Sequence, residues 1–213
     1  MPAASRLLTE ELPEPITADE FFAMPDDGSG TKYQLVNGYL EAMAPVAPVH
    51  SLLQAELTYL IRLHLKAIES SCWVGTETGI QPVIRNKTNV RIPDLGVSCT
   101  PLTLEDKTMQ NPILLVEVLS PSNEKETEAN LWMYATMACV QEVLLVHTKS
   151  ARLELFRRRP DGQLAEAIIA DVGQSVNLES IGMGLAVDEL YGPTPLAGRA
   201  FKKPKTSKPA NGR

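Results

Sequence analysis

Ile113-Leu114-Leu115-Val116-Glu117-Val118-Leu119 is a nearly continuous apolar run with one carboxylate inside it. Such a run is the pattern of a strand buried on both faces of a sheet. Downstream, Asn123-Glu124-Lys125-Glu126 forms a capping box that opens a helix to about Met137. Residues 140–148, VQEVLLVHT, read as a further strand. Residues 151–159 and 163–170 then form a hairpin joined by Pro160-Asp161-Gly162. Upstream, residues 92–98 alternate as a strand, preceded by strands at about 72–77 and 79–85. Leu53, Leu57, Leu60, Ile61, His64 and Ile68 recur at spacings of three and four, so residues 48–68 are the main helix, with Pro48 in its first turn. Asn37-Gly38 lies between two short apolar runs and predicts paired strands at 33–36 and 39–43. Thr17-Ala18-Asp19-Glu20 is another capping box, starting a short helix that Pro25-Asp26-Asp27-Gly28 stops. The order predicts an α/β (α+β mixed sheet) protein with helices packed on a central sheet.

The chain has 213 residues, 44% apolar and 22% charged, which suits one globular domain. The expected division is a flexible lead at 1–16, a single domain at 17–192 and a basic, disordered tail at 193–213. Residues 199–213 hold six basic side chains and no acid. Taking those six from the 20 bases leaves 14 against 26 acids, a body charge of −12. Such a body is not a general nucleic-acid sponge. Cys72, Cys99 and Cys139 are an odd count without a CxxC pair, which argues against a disulfide framework or a zinc site. No apolar run is long enough to span a membrane, and the N-terminus has no signal core, so a cytoplasmic location is expected.

Glu117 does not fit a bland core strand. Burying a carboxylate costs on the order of several kcal/mol unless something pairs it. Asp94 follows Pro93 at the start of its strand, because proline cannot continue a central ladder. The two acids are 23 residues apart, enough for a strand, a loop and a neighbouring strand. Two carboxylates at adjacent strand ends make a hard-oxygen site suited to Mg²⁺ or Mn²⁺. A buried ion pair with Arg91 or Lys125 would also account for Glu117, and a solvated turn residue for Asp94.

The segments YQLVNG (33–38), APVHSLLQAEL (47–57), TETGIQP (76–82), VRIPDLGVS (90–98), PILLVEVLSPSN (112–123) and NLWMY (130–134), in that order, resemble the restriction endonuclease domain of the Uma-two family, within the PD-(D/E)XK superfamily. The resemblance covers about residues 17–192. It implies a restriction-endonuclease-like core, with Asp94 as the Asp of the Pro-Asp motif and Glu117 as the acid of the following strand, both metal ligands. His50 matches a family histidine that would orient a ligand or contact phosphate; a helix-capping role is the alternative. Glu77 stands at a strand end as a third acid, or as an ordinary turn carboxylate. The superfamily lysine two residues after the Glu is Leu119 here. A lysine one turn before a helical Tyr, matching Tyr134, is Asn130 here. Gln34 and Asn37 stand where the family often has Glu and Asp.

The implied function is a metal-dependent endonuclease that hydrolyses DNA phosphodiester bonds by a metal-activated water. Asp94, Glu117 and Glu77 would be ligands, Asn130 would place the water, and His50 would contact phosphate or a ligand. The resemblance also implies a homodimer. The alternative is a catalytically impaired nuclease-fold protein acting as a binding or scaffold module. Trp73 and Trp132 are expected as packing residues, and Arg157-Arg158-Arg159 as a solvated edge guard that could help hold a DNA backbone.

Overall fold

The computed structural model describes residues 14–120 and 124–197, with the side chains of 124–126 left aside. Most of the expected lead and tail therefore lies outside the described residues, as does the second capping box. The elements are α1 (Ala18–Ala23), β1 (Tyr33–Val36), β2 (Tyr39–Ala42), α2 (Pro48–Ala67), β3 (Trp73–Thr76), β4 (Leu95–Ser98), β5 (Pro112–Leu119), α3 (Glu124–Ala135), β6 (Glu142–His147), β7 (Arg152–Arg157), β8 (Ile168–Asp171), β9 (Ser175–Leu178), β10 (Met183–Ala186) and α4 (Val187–Tyr191).

The central sheet has the order β3-β4-β5-β6-β7-β8. β5 and β6 run parallel and every other neighbouring pair is antiparallel, so the sheet is mixed. The parallel pair needs a crossover, and α3 supplies it. Alternate residues of β5 serve two cores. Leu114, Val116 and Val118 pack with α2, α4 and the β9–β10 hairpin. Leu115 packs on the other face with Met133 and Tyr134 of α3 and with Met137 just beyond it. Glu117 has the parity of Leu115, so it faces α3. Packing also reaches past residues 17 and 192: Ile16 lies against Leu35 and Val90, and Leu196 against the α2-side core.

The Asn37-Gly38 turn has φ of 54° and 89°, the left-handed pair that a two-residue hairpin requires. A side chain at Gly38 would place its Cβ 2.5 Å from Pro15 Cβ. The strand expected at 79–85 does not form. Ile80 makes one isolated bridge to Arg91, Pro82 has no N–H to extend a ladder, and Arg85 turns left-handed into a 3₁₀ turn at Asn86–Thr88. The strand expected from 92 begins at Leu95, leaving Pro93 and Asp94 just before it.

The cysteine expectation is also corrected. Cys72 and Cys99 form a disulfide. They flank the directly opposed pair Trp73–Ser98 of β3 and β4, so the register brings them together although 27 residues separate them. Cys139 is free. Trp73 is half-buried against the α3-side core and donates its indole N–H to Thr100 O at 2.8 Å. Trp132 is 61% exposed, contrary to the packing expected of it. It lies two positions from both Asn130 and Tyr134, which puts it on the outward side of α3. The arginine run is largely committed to structure. Arg157 pairs with buried Glu142, and Arg158 donates to the carbonyls of Ala135 and Met137 where α3 ends.

A carboxylate cleft between the helices

The β4–β5 register runs Leu95↔Val116, and one step further sets Asp94 opposite Glu117. Both acids are buried, at 8% and 5% exposure. Asp94 Oδ2 accepts the backbone N–H of Val118 at 2.6 Å, which clamps the carboxylate to the neighbouring strand. Its Oδ1 lies 3.2 Å from His50 Nε2. The Asp94 carbonyl accepts Gln54 Nε2 at 2.9 Å. His50 and Gln54 are one turn apart on the inner face of α2, so a single helix grips Asp94 at two atoms. His50 is buried and does not cap its helix; Ala47 holds the N-cap position with no side-chain bond.

Glu117 is gripped from the opposite side. Its Oε1 accepts Tyr134 Oη at 2.6 Å and Asn130 Nδ2 at 3.1 Å. Positions 130 and 134 share one face of α3, as their spacing requires. Burial pushes the Tyr134 phenol well above its ordinary value, and the negative charge of Glu117 pushes the same way. The hydroxyl therefore stays protonated and remains a donor to the carboxylate.

Asp94, Glu117, His50 and Asn130 line one cleft together with Ser120 and Thr127, and residues 43–46 form its outer wall. Four sequence-expected site residues thus meet. Glu77 does not join them. Its backbone N–H bonds Asp94 O at 3.1 Å, but the turn it occupies, with φ of 49°, sends its carboxylate to Lys32 instead. Leu119, at the superfamily lysine position, lies against a separate groove with Leu131 and His147. Gln34 is buried and donates to Glu41, and Asn37 accepts from Arg85 Nη1. Sequence reasoning missed Gln54 and Thr127. The signal for Gln54 was an amide one turn after His50 on an apolar helix face.

Among the described residues, no three His, Cys, Asp or Glu side chains converge as a metal cage. The donor set nonetheless suits a hard cation that keeps part of its water shell, since two carboxylates and an amide oxygen face the cleft. Asn130 Oδ1 is buried there with no hydrogen-bond partner, as is His50 Nδ1. An unpaired buried acceptor is costly unless a cation or water satisfies it.

An uncharacterized protein of Synechocystis is 28% identical over 181 residues, 84% of this chain and 93% of that relative. A crystal structure from Anabaena variabilis, described as "a putative nuclease belonging to DUF820", superposes with a TM-score of 0.67 at 18% identity. It covers 84% of this chain and 98% of the other, and at that identity the likeness is one of fold. The model of the Uma2 family, described as "Putative restriction endonuclease", matches residues 18–188 and takes in both clamped carboxylates and the helices that hold them. The chain belongs to the Uma2 family.

Proposed function

We propose that the chain is a metal-dependent endonuclease that hydrolyses DNA phosphodiester bonds, with Asp94 and Glu117 holding Mg²⁺ or Mn²⁺. The observation that carries this reading is the meeting of Asp94 and Glu117 at adjacent strand positions in one cleft with His50 and Asn130. A divalent ion held there would lower the pKa of a bound water and neutralise charge developing on the phosphoryl group. The chain's own residues do the positioning. The Val118 amide and His50 fix the Asp94 carboxylate, and Tyr134 fixes that of Glu117. Asn130 spends its N–H on Glu117 and presents its amide oxygen as an acceptor for the attacking water. His50 acts by orienting Asp94. Glu77 is not a ligand in this scheme. A two-fold dimer would set two such centres against two strands.

The alternative, a catalytically impaired binding or scaffold module, is favoured by one feature. Each acid already has hydrogen-bond donors, as in a purely structural network. Calorimetric titration of Mn²⁺ into wild type and Asp94→Ala, followed by plasmid nicking in Mn²⁺, separates the two. Saturable binding lost in the variant, with nicking by wild type, supports the nuclease. A folded wild type that neither binds metal nor nicks DNA refutes it and leaves the module.

A further inference from the structure

Thr127 lines the carboxylate cleft and also a second groove, of about 350 Å³, on the α3 side of the sheet. That volume falls within the range of small-molecule sites, about 300–1,000 Å³. The strand register fixes where the groove lies. Glu117 stands opposite Leu145, and Leu145 opposite Glu154, so the three form one row across β5, β6 and β7 on a single face. Leu119 stands opposite His147 in the next row of that face. Two strand spacings of about 4.8 Å set Glu154 roughly 10 Å from Glu117 along the row.

The walls are apolar, with Leu119 and Leu131 beside Leu145 and Phe156. The polar pair among them is His147 and Glu154, whose side chains are 21% and 23% exposed. His147 Nε2 lies 3.0 Å from Glu154 Oε1. The two are in ion-pair contact but out of hydrogen-bond alignment, and Nε2 is buried without a hydrogen bond. A buried nitrogen in that state is costly until a ligand satisfies it. A phosphate does not suit the groove, because Glu154 and the exposed Glu128 both repel it. A flat, neutral ring with a polar edge does suit it, the ring against the apolar walls and the edge against His147 and Glu154. Unstacked nucleobases are held in this way, by stacking and by hydrogen bonds to the pairing edge.

We infer that this groove is a nucleobase subsite selective for guanine. It takes its substrate class from the nuclease reading above, which sets the phosphate at Asp94 and Glu117. The pairing edge of guanine carries one acceptor, O6, followed by two donors, N1–H and the N2 amino group. In its Nε2–H tautomer His147 donates to O6, and the Glu154 carboxylate accepts the two donors. Adenine and cytosine place a ring acceptor beside their amino group, and thymine has a single donor between two carbonyls. Each of those edges turns at least one acceptor toward the carboxylate. Phe156 supplies a ring face for stacking. Thr127 stands between base and metal cleft, so a phosphodiester beside a guanine is the one presented for cleavage.

The test is a saturation-transfer NMR titration of the full chain with deoxyguanosine, deoxyadenosine, deoxycytidine and thymidine, without divalent metal. Nucleosides carry no phosphate, so the carboxylate cleft takes no part in their binding. Deoxyguanosine is expected to bind saturably and at least about 10-fold more tightly than the other three, the scale of one hydrogen bond to a charged group. Deoxyinosine, which lacks the N2 amino group, should bind wild type about 10-fold more weakly than deoxyguanosine. Glu154→Gln, at a partly solvated position, should keep the wild-type Tm and lose the preference for guanine. No binding of deoxyguanosine, equal binding of all four nucleosides, or deoxyinosine matching deoxyguanosine overturns the inference. Groove signals that broaden with protein concentration and ignore every nucleoside would assign the groove to contact between copies of the chain, and also overturn it. Plasmid nicking in Mn²⁺ is scored separately. Nicking without guanine selectivity sinks the subsite alone, and selective deoxyguanosine binding without nicking sinks the nuclease reading alone.

Discussion

Tyr134→Phe removes one oxygen from the centre of the molecule and leaves the ring in place. The ring is fully buried against Met133, Met137, Val143 and Leu145, so its packing survives and no cavity opens. What is lost is the 2.6 Å bond from the hydroxyl to Glu117 Oε1. A hydrogen bond to a charged acceptor contributes about 1.5–3 kcal/mol, and Glu117, at 5% exposure, has little water to replace it. Asn130 Nδ2 remains at 3.1 Å, which keeps the carboxylate from being stranded. The expected loss is about 2 kcal/mol, or roughly 4–8 °C in Tm for a domain of this size. Urea unfolding should show a lower midpoint with an unchanged slope. A pH series adds a second signature. The folded phenol is raised above its ordinary value of 10.0, so its stabilisation is complete below about pH 10 and is lost as pH climbs further. The gap between wild type and Tyr134→Phe should therefore narrow above pH 10. A loss under about 0.5 kcal/mol, or a gap independent of alkaline pH, would refute the view that Tyr134 holds an ionised, buried Glu117.

Glu77→Gln should leave Mn²⁺ affinity unchanged in calorimetry, because the Glu77 carboxylate is spent on Lys32, whereas Asp94→Ala should abolish it. Replacing Cys72 and Cys99 by Ser should lower stability by about 3–4 kcal/mol, from the entropy of a loop spanning 27 residues. A thiol assay on the oxidised, unfolded chain should count one free cysteine, Cys139. Gly38→Ala forces a left-handed residue and a 2.5 Å contact with Pro15, so a loss above about 2 kcal/mol is expected in denaturant unfolding. Arg152 holds the Asp171 carboxylate below its ordinary value through a two-point hydrogen bond. That contribution is present above about pH 4 and fades as pH falls through the depressed value. Asp171→Asn should cost about 0.5–1 kcal/mol at pH 7, since the pair is partly solvated, and progressively less as pH falls below about 4.

Local signals were legible wherever a residue's own backbone preference decided the structure. Asn37-Gly38 marked its hairpin, Pro48 the first turn of α2, and the 113–119 run the buried strand. The misreadings share one cause. Residues 79–85 have enough β-formers to suggest a strand, yet a strand needs a partner, and Ile80 finds one only at Arg91. The β9–β10 hairpin and α4 carried too weak a pattern to be read, although their side chains complete the α2-side core. Trp132 has the chemistry of a core residue, but its helical phase relative to Tyr134 turned it outward.

The sequence by itself determined the strands and helices around the site, the two carboxylates and the absence of a lysine at positions 119 and 130, because each depends on residue type and short-range spacing. Only the tertiary structure decided which groups meet. The β4–β5 register set Asp94 opposite Glu117, α2 and α3 closed on them from opposite faces, and a left-handed turn took Glu77 away. The β3–β4 register joined Cys72 to Cys99. These are contacts between residues far apart in the chain. Their energies come from pairing, burial and desolvation in three dimensions, which no window along the sequence contains.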